Sequence, residues 1–410
     1  MKKLPAELLD TVFAQFDVSH RDRNRQACRA SSRKSLRSCS LVCRDWTPFA
    51  QSRLFRDVLY VLEADLDDED LGDVPFDVDT ELEAIYAFFD THRDLAACVR
   101  NLGITVSPVL RDECWFLPPE THQLESTLLC NLLSITPRVE CLDLQDIVLK
   151  PSFRPLERPR FALKVLRILI TADNTRFSDI LCLLSYFTDI DFLDLTIIEP
   201  CRRNDFAEPL LLAANDLTIY RLAFESSTCG ALCRHLAQSR SARTLHSLTL
   251  TRLSLRDMAA LESLLDATKP NLIHLSLSFL GVLQAEPGSP PCLDLARARS
   301  LQSLELSVLA NRDSWHAIWR ALATLSAAHN RALRDVTLVM RRPGRFPVQD
   351  AWTTIPQAVL HTTYATLCAL REQGSFQRFT FREQGNGLGR TETDMFPHAM
   401  RRYVQSSGSR

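Results

Sequence analysis

Residues 245–250 read LHSLTL, residues 272–277 read LIHLSL, and residues 301–306 read LQSLEL. All three follow one pattern, apolar-x-x-apolar-x-apolar, which occurs ten times between residues 99 and 381. The sets are Val99/Leu102/Ile104, Val139/Leu142/Leu144, Leu163/Leu166/Ile168, Ile190/Leu193/Leu195, Ile219/Leu222/Phe224, Leu245/Leu248/Leu250, Leu272/Leu275/Leu277, Leu301/Leu304/Leu306, Leu333/Val336/Leu338 and Phe376/Phe379/Phe381. From Leu142 to Val336 the middle residues span 194 residues in 7 intervals, about 28 each, so the pattern indicates a repeated structural unit.

Stretches with the apolar spacing of helices separate these motifs. They lie at residues 124–135, 177–187, 230–238, 255–268 and 315–329. Alternating strands and helices predict an α/β fold with a parallel sheet. Because a helix is wider than the strand spacing of about 4.8 Å, the stack should curve into a horseshoe with strands on its concave face. The period and the core pattern resemble those of leucine-rich repeats.

One position departs from that resemblance. In many leucine-rich repeats an Asn or Cys stands three places after the last core residue. The corresponding residues here are Ile147, Thr171, Ile198, Ser227, Leu253, Leu280 and Leu309. The substitution predicts a degenerate repeat whose turns are closed by apolar packing in place of an Asn ladder.

The N-terminal region has a different pattern. Residues 4–16 and 36–55 each carry an apolar stripe at helical spacing, and the basic residues 19–35 between them are predicted to form a surface loop. Residues 63–83 then hold 11 acidic side chains, which predict a solvated linker leading into a short helix around residues 80–96. The predicted divisions are therefore 1–60, 61–98, a repeat region at 99–382 and a flexible tail at 383–410.

The first 55 residues resemble the F-box motif. The opening pattern is matched by Leu4, Pro5, Glu7, Leu8, Leu9, Val12 and Phe13, and the closing pattern by residues 41–46, LVCRDW. Residues 50–55, AQSRLF, look like those of fungal F-box proteins with leucine-rich repeats. The resemblance implies an all-α F-box that binds a Skp-type adaptor and, through it, a cullin scaffold. The implied Skp interface, or its support, comprises Leu4, Pro5, Leu8, Val12, Phe13, Leu41, Val42 and Trp46.

Composition limits the other classes of function. The 410 residues carry a net charge of −2, which disfavours a nucleic-acid or anionic-membrane binder. No stretch approaches 18 uninterrupted apolar residues, so a membrane span is not expected. Thirteen cysteines, an odd number scattered among apolar neighbours, suit the reducing environment of the cytoplasm or nucleus.

No residue pattern indicates chemistry. The pairs Cys39/Cys43 and Cys229/Cys233 lack the second Cys or His pair of a zinc site. The acidic run from Asp67 places Leu71 and Val78 at ligand positions of a calcium loop, and so fails as one. Without a nucleophile motif either, the chain is predicted to be a non-enzyme with no cofactor, no metal and no catalytic residue.

Strand geometry predicts where a protein partner would bind. Side chains alternate along a strand, so residues between the buried leucines point out of the concave face. The predicted substrate-binding residues are Asp143, Arg167, Asp194, Arg221, Thr249, His274, Ser276, Glu305 and Asp335. Arg167 and Arg221, with Arg202 and Arg203, could form a phosphate-accepting cluster. The sequence thus favours a substrate-recognition subunit of an SCF-type ubiquitin ligase. The alternatives are a Skp-independent interaction scaffold, and a helical cap in place of the F-box.

Overall fold

A computed structural model places a single extended sheet at the centre of the chain. The structure describes residues 34–39, 41, 46–62, 78–106, 123–149, 161–170, 177–198, 216–226, 228–279, 293–309, 318, 320–326, 328–341, 357–374, 376–384 and 390–393.

The strands of the described part are short and widely separated in sequence. They are β1 (Asp57–Leu62), β2 (Asn101–Val106), β3 (Gln123–Leu124), β4 (Cys141–Gln145), β5 (Val148–Leu149), β6 (Phe161–Ile170), β7 (Phe187–Ile197), β8 (Thr218–Glu225), β9 (Ser247–Leu253), β10 (His274–Phe279), β11 (Ser303–Leu309), β12 (Asp335–Arg341), β13 (Arg378–Gln384) and β14 (Arg390–Thr393). Twelve of them form one sheet in the order β1-β2-β4-β6-β7-β8-β9-β10-β11-β12-β13-β14, while β3 and β5 pair separately.

The first helix precedes β1, and the others lie between the strands. They are α1 (Thr47–Leu54), α2 (Val78–Thr91), α3 (Arg93–Ala96), α4 (Ser126–Ile135), α5 (Phe177–Leu184), α6 (Cys229–Gln238), α7 (Met258–Thr268) and α8 (Gln357–Glu372). Four of the predicted helices are confirmed as α4, α5, α6 and α7. The helix predicted at 177–187 is shorter than predicted, because it ends at Leu184 and Phe187 already belongs to β7. Of the predicted helix at 315–329, residues 318 and 320–323 are helical. Among the described residues, no helix is long and apolar enough to cross a membrane.

The strand pairing follows the sequence repeat. Every pair from β1 to β13 is parallel, and each middle motif residue pairs with its equivalent in the next repeat, as Leu222 does with Leu193 and Leu248. Only the last pair, β13 with β14, is antiparallel. The α/β fold and the parallel sheet are therefore confirmed, and all ten predicted motifs lie at strands of that sheet.

The core lies between one face of the sheet and the helices. Apart from Phe381, whose side chain is outside the described part, all the motif residues are buried. They join residues of the helices, such as Leu261 of α7 and Leu370 of α8, in one continuous cluster. Where the described part has a helix after a strand, as α6 follows β8 and α7 follows β9, the apolar strand face is buried against that helix and the neighbouring strands, as expected for a stacked repeat protein.

The sheet begins earlier than predicted. Phe55, Val58 and Tyr60 have the same apolar spacing as the ten motifs, and Val58 and Tyr60 pair with Leu102 and Ile104. All three pack against the main core. Strand β1 therefore adds an eleventh repeat strand and crosses the boundary predicted between residues 60 and 61. At the other end, β14 lies within residues 383–410, where a flexible tail was predicted.

Two of the turns after the strands are closed by a left-handed residue followed by a buried apolar one. Asp146 and Arg252 adopt left-handed backbone angles, with φ of 59° and 70°. The residues that follow them, Ile147 and Leu253, are buried as the apolar-turn prediction required. The prediction is wrong at Ile198, which is 44% exposed. Thr171, Ser227 and Leu280, and the side chain of Leu309, lie outside the described residues.

Polar bonds between repeats occur at the opposite edge, just before the strands. Thr244 Oγ1 donates to the carbonyl of Ile219 (3.1 Å), and Ser300 Oγ donates to that of Pro270 (2.9 Å). Asn271 Nδ2 donates in the same way to the carbonyl of Arg243. Buried Asn330 donates to the carbonyls of Leu295 and Ala298, at 3.0 and 3.1 Å. A polar ladder therefore exists in this chain, but on the edge where the strands begin.

The N-terminal helices form a separate small core. Leu36, in a helical segment at residues 34–39, and Ala50 of α1 are buried together. Cys39, Trp46, Phe49 and Leu54 pack around them. The predicted first helix at residues 4–16 lies outside the described residues, so the all-α F-box stays a prediction.

Candidate protein-binding surface

The face of the sheet opposite the helices, here called the outer face, carries the predicted binding residues in two continuous rows. Parallel register aligns Asp143, Arg167, Asp194, Ala223, Thr249, Ser276, Glu305 and Thr337 in the central row. It aligns Arg221, Ser247, His274, Ser303 and Asp335 in the row before it. Neighbours in a row stand about 4.8 Å apart, so they present one surface to a partner.

The first part of the central row is charged. The guanidinium of Arg167 lies between two carboxylates, with Nη1 4.0 Å from Asp143 Oδ2 and Nε 3.9 Å from Asp194 Oδ2. Asp143 is buried and also accepts a hydrogen bond from Gln145 Nε2 at 3.1 Å. Burial raises the pKa of the Asp194 carboxyl above its ordinary value, because this effect exceeds the opposing attraction of Arg167. Arg167 is thus paired with two carboxylates and is poorly placed to bind a phosphate group.

Aromatic side chains stand beside this charged segment. The guanidinium carbon of Arg221 lies 5.3 Å from the centroid of the Phe192 ring, which is within cation–π range. Tyr220 is exposed and stacks on His246 with centroids 6.1 Å apart. Sequence reasoning missed Phe192 and Tyr220, because the repeat motif alone does not show which outer residues face each other. Arg202 and Arg203, the other members of the predicted phosphate-accepting cluster, lie outside the described residues.

The second part of the outer face is richer in hydroxyl groups. Ser276 Oγ donates to Glu305 Oε1 at 3.3 Å, and His274 is exposed next to it in the preceding row. Thr249 is half-buried on the other side of Ser276. Asp335 accepts a hydrogen bond from Arg378 Nε at 3.0 Å. This part therefore combines hydroxyl and imidazole groups with the carboxylates of Glu305 and Asp335, and the Asp335 carboxylate is paired with Arg378.

The start of the sheet is apolar on this face. Leu59 and Val61 of β1 are exposed. A Cβ at Gly103 would lie 2.8 Å from Leu59 Cδ1, so the glycine lets Leu59 lie across β2. Next to this patch, Glu140 pairs with Arg100 at 3.2 Å and with Lys164 at 2.8 Å. The hydrogen bond from Lys164 lowers the pKa of Glu140.

Two members of the predicted Skp interface lie in the described part. Leu41 is 86% exposed. Trp46 instead packs in the small core around Ala50, so its role there is internal support. The other members, Leu4, Pro5, Leu8, Val12, Phe13 and Val42, lie outside the described residues.

The buried cysteines are packing residues. Burial raises the pKa of Cys182 to about 11 and that of Cys229 to about 12, so both thiols are protonated at neutral pH. Cys229 Sγ also donates to the carbonyl of Ser226 at 3.1 Å. Within the described ranges, no group of three or more His, Cys, Asp or Glu side chains is placed to hold a metal ion.

No protein-family model matches this chain, and no curated protein is similar enough to match it. Its function must therefore be argued from the described surfaces and from the N-terminal sequence motif.

Proposed function

We propose that this chain is a substrate-recognition subunit of an SCF-type ubiquitin ligase. Its F-box-like N-terminal segment would bind a Skp-type adaptor, and the outer face of its leucine-rich-repeat-like sheet would bind the protein substrate. The proposal places the chain in the cytoplasm or nucleus and assigns it no catalytic residue, since the ligase chemistry would come from the proteins recruited through the adaptor.

The observation that carries the proposal is the direct succession of two regions of different kind. Helix α1 ends at Leu54 and strand β1 begins at Asp57, so two residues separate the small helical core from an eleven-strand parallel sheet. The F-box-like segment of about 55 residues is short for a domain that is robust alone, which suits a permanent protein partner.

Co-expression with a Skp-type adaptor tests the proposal. We expect the full chain to co-purify with the adaptor and the joint substitution Leu8→Asp with Val42→Asp to abolish co-purification, because two charges would enter an apolar interface. Glu305→Gln, on the outer face, is the matched control and should bind the adaptor as the unaltered chain does. If the double variant still binds, the assigned interface is wrong; if the intact chain binds no Skp, the proposal itself fails.

A second candidate is a Skp-independent protein-interaction scaffold. The observation that favours it is that the outer face belongs wholly to the sheet, whose rows do not include the N-terminal helices. Recruitment of a cullin decides between the two. A cullin present in the purified complex supports the ligase subunit, and its absence from a complex that contains the other partners supports the scaffold.

A further inference from the structure

The two ends of the main sheet differ in how their edge strands are protected. At one end the antiparallel strand β14 covers the edge of β13, and it carries Arg390 and Glu392, charges that oppose further pairing. At the other end lies β1, which within the described part of the chain pairs with β2 alone. Residues 57–62 of β1 read DVLYVL, with one charge and neither proline nor glycine. A strand of this composition at the end of a sheet is prone to pair with another strand.

Alternate residues of β1 point their backbone groups away from β2. Asn101 N donates to Arg56 O at 3.0 Å, so the Arg56 carbonyl points towards β2. Successive residues of a strand turn their backbone groups to opposite sides, which directs those of Leu59 and Val61 to the open edge. These N–H and C=O groups have no hydrogen-bond partner among the described residues. The backbone of another extended segment would supply donors and acceptors at the matching spacing.

Exposed apolar side chains are concentrated at the same edge. Leu59 and Val61 are 42% and 36% exposed on the outer face. On the helix side, Phe88 of α2 is 41% exposed and stacks on Phe55, two residues before β1, with ring centroids 6.2 Å apart. These are three of the six large apolar side chains that are exposed in the described part. A strand paired with β1 would therefore cover apolar surface and also satisfy backbone groups.

The charges that flank β1 in the sequence favour one partner for it. Arg53 and Arg56 precede the strand, whereas Glu63 directly follows its last residue and Asp65 comes two positions later. If two copies of β1 pair antiparallel, the basic start of each strand meets the acidic end of the other. Parallel pairing would instead bring like charges together, which opposes association. The strand is thus complementary in charge to a second copy of itself in the antiparallel direction.

The same reasoning selects the register of such a pair. Leu59 and Val61 point to the outer face in both copies, so the registers that keep these apolar side chains together place Leu59 opposite Leu59 or opposite Val61. The second register would place Asp57 opposite Glu63, two like charges, whereas the first places Asp57 opposite Val61. The first register also lets the two Leu59 residues exchange both backbone hydrogen bonds about a two-fold axis.

We infer that the chain forms a two-fold symmetric dimer in which the β1 edges of two copies pair antiparallel, with Leu59 opposite Leu59. The two sheets then continue as one across the contact, and assembly stops at two copies because both β1 edges are occupied. A six-residue edge is a small contact, so we expect a Kd on the order of 10 μM. The dimer requires no Skp adaptor and does not depend on the proposed function.

Analytical ultracentrifugation of the full chain over a concentration series tests for this dimer. The mass should rise from that of one chain towards twice that value as the concentration increases. The joint substitution Leu59→Lys with Val61→Lys should weaken dimerisation at least about tenfold, because lysines at a sheet edge oppose pairing. The matched control places two lysines at exposed apolar positions elsewhere, Ile198→Lys with Tyr220→Lys, and should dimerise as the unaltered chain does.

A cysteine cross-link tests the register and does not require the lysine variant to fold. Leu59→Cys should give a disulfide-linked dimer on mild oxidation, since opposed residues of such a pair have Cα atoms about 5.5 Å apart, within the range of a disulfide. Ile198→Cys is the matched control, because Ile198 is 44% exposed and Leu59 is 42% exposed. It should cross-link no more than the unaltered chain, which has thirteen cysteines of its own.

A chain that stays monomeric up to about 100 μM would overturn the inference, and so would a monomer that takes up an unrelated extended peptide along β1. Equal dimerisation of the Leu59/Val61 variant and the unaltered chain, or equal cross-linking of the two cysteine variants, would also contradict it. An equal loss in the lysine control would mean that the contact lies elsewhere. Thermal unfolding of each variant, followed by circular dichroism, separates a loss of pairing from a loss of fold. Skp co-purification from the same preparations reports on the proposed function alone.

Discussion

The repeat core and the small N-terminal core use their apolar residues differently. In the repeat region the described motif residues are buried, and leucines such as Leu222 and Leu248 have strand neighbours on both sides. Among the described residues of the N-terminal region, the buried centre is formed by Leu36 and Ala50. Close by in sequence, Leu41 is 86% exposed.

This difference indicates that the apolar residues of the repeat core mainly stabilise the fold, whereas those of the N-terminal region mainly serve partner binding. A repeat that packs between two others satisfies its apolar face within the chain, and its binding capacity lies in the outward side chains. A region with a small core depends more on a partner to cover its apolar residues. Substitution of apolar residues should therefore have different effects in the two regions. In the repeat core it should destabilise the fold, and in the N-terminal helices it should weaken the binding of a partner.

The largest effect is expected in the repeat core. Leu248→Ala removes a fully buried side chain between Leu222 and Leu275 and should destabilise the chain by about 2–5 kcal/mol, because the cavity it leaves cannot fully collapse. Urea unfolding followed by circular dichroism measures the loss. Leu41→Ala is the matched substitution on the N-terminal side and should change stability by less than about 0.5 kcal/mol. Equal losses in the two variants would contradict the division between the regions.

A smaller effect is expected at a polar link between repeats. Asp257 is buried, and its carboxylate accepts from Gly230 N (2.9 Å), Ser254 N (2.9 Å) and Ser254 Oγ (2.7 Å). Asp257→Ala leaves the N–H at the start of α6 without its acceptor and should cost about 1–3 kcal/mol. Thermal unfolding provides the measurement, with Glu305→Ala as a control that should lie near the unaltered chain. If the stability of the Asp257→Ala variant equals that of the unaltered chain, water replaces the carboxylate as the acceptor.

The repeat could be predicted from sequence because its signal is local and periodic. An apolar residue at fixed spacing determines which face of a strand is buried, whatever the rest of the chain does. The first strand was missed for a physical reason. Phe55, Val58 and Tyr60 follow the same spacing, but they directly follow the F-box-like segment and precede an acidic run, so nothing local distinguished a strand from the end of a helix.

The candidate surface was predictable in its rows but not in its contacts. Alternation along each strand placed Asp143, Arg167 and Asp194 outward, and register then aligned them. Whether Arg167 would be free for a phosphate or held between carboxylates depends on side-chain geometry across three strands. The polar ladder before the strands was missed for a similar reason. The side chains of Thr244, Asn271 and Ser300 all donate to backbone carbonyls of the preceding repeat, and every residue has such a carbonyl, so the sequence does not show which ones are used.

The smallest predicted effect compares two carboxylates, those of Asp194 and Glu140, whose pKa values shift in opposite directions. The pKa of Asp194 is raised by burial, so its contribution to stability is present below the unfolded value of about 3.9 and lost as pH rises through the folded value. The pKa of Glu140 is lowered by Lys164, so its contribution is present above about 4.3 and lost as pH falls. Asp194→Asn should therefore raise the unfolding temperature at pH 7 and lose that advantage at pH 3, whereas Glu140→Gln should lower it at pH 7 only.

Both shifts should stay within about 2 °C, because each carboxylate is more than one third exposed and solvent screens its charge. Unfolding temperatures of the two variants and the unaltered chain, measured from pH 3 to pH 7, provide the test. If Asp194→Asn lowers the unfolding temperature at pH 7, the attraction of Arg167 outweighs the cost of burying the Asp194 carboxylate, and the predicted difference between the two carboxylates is wrong.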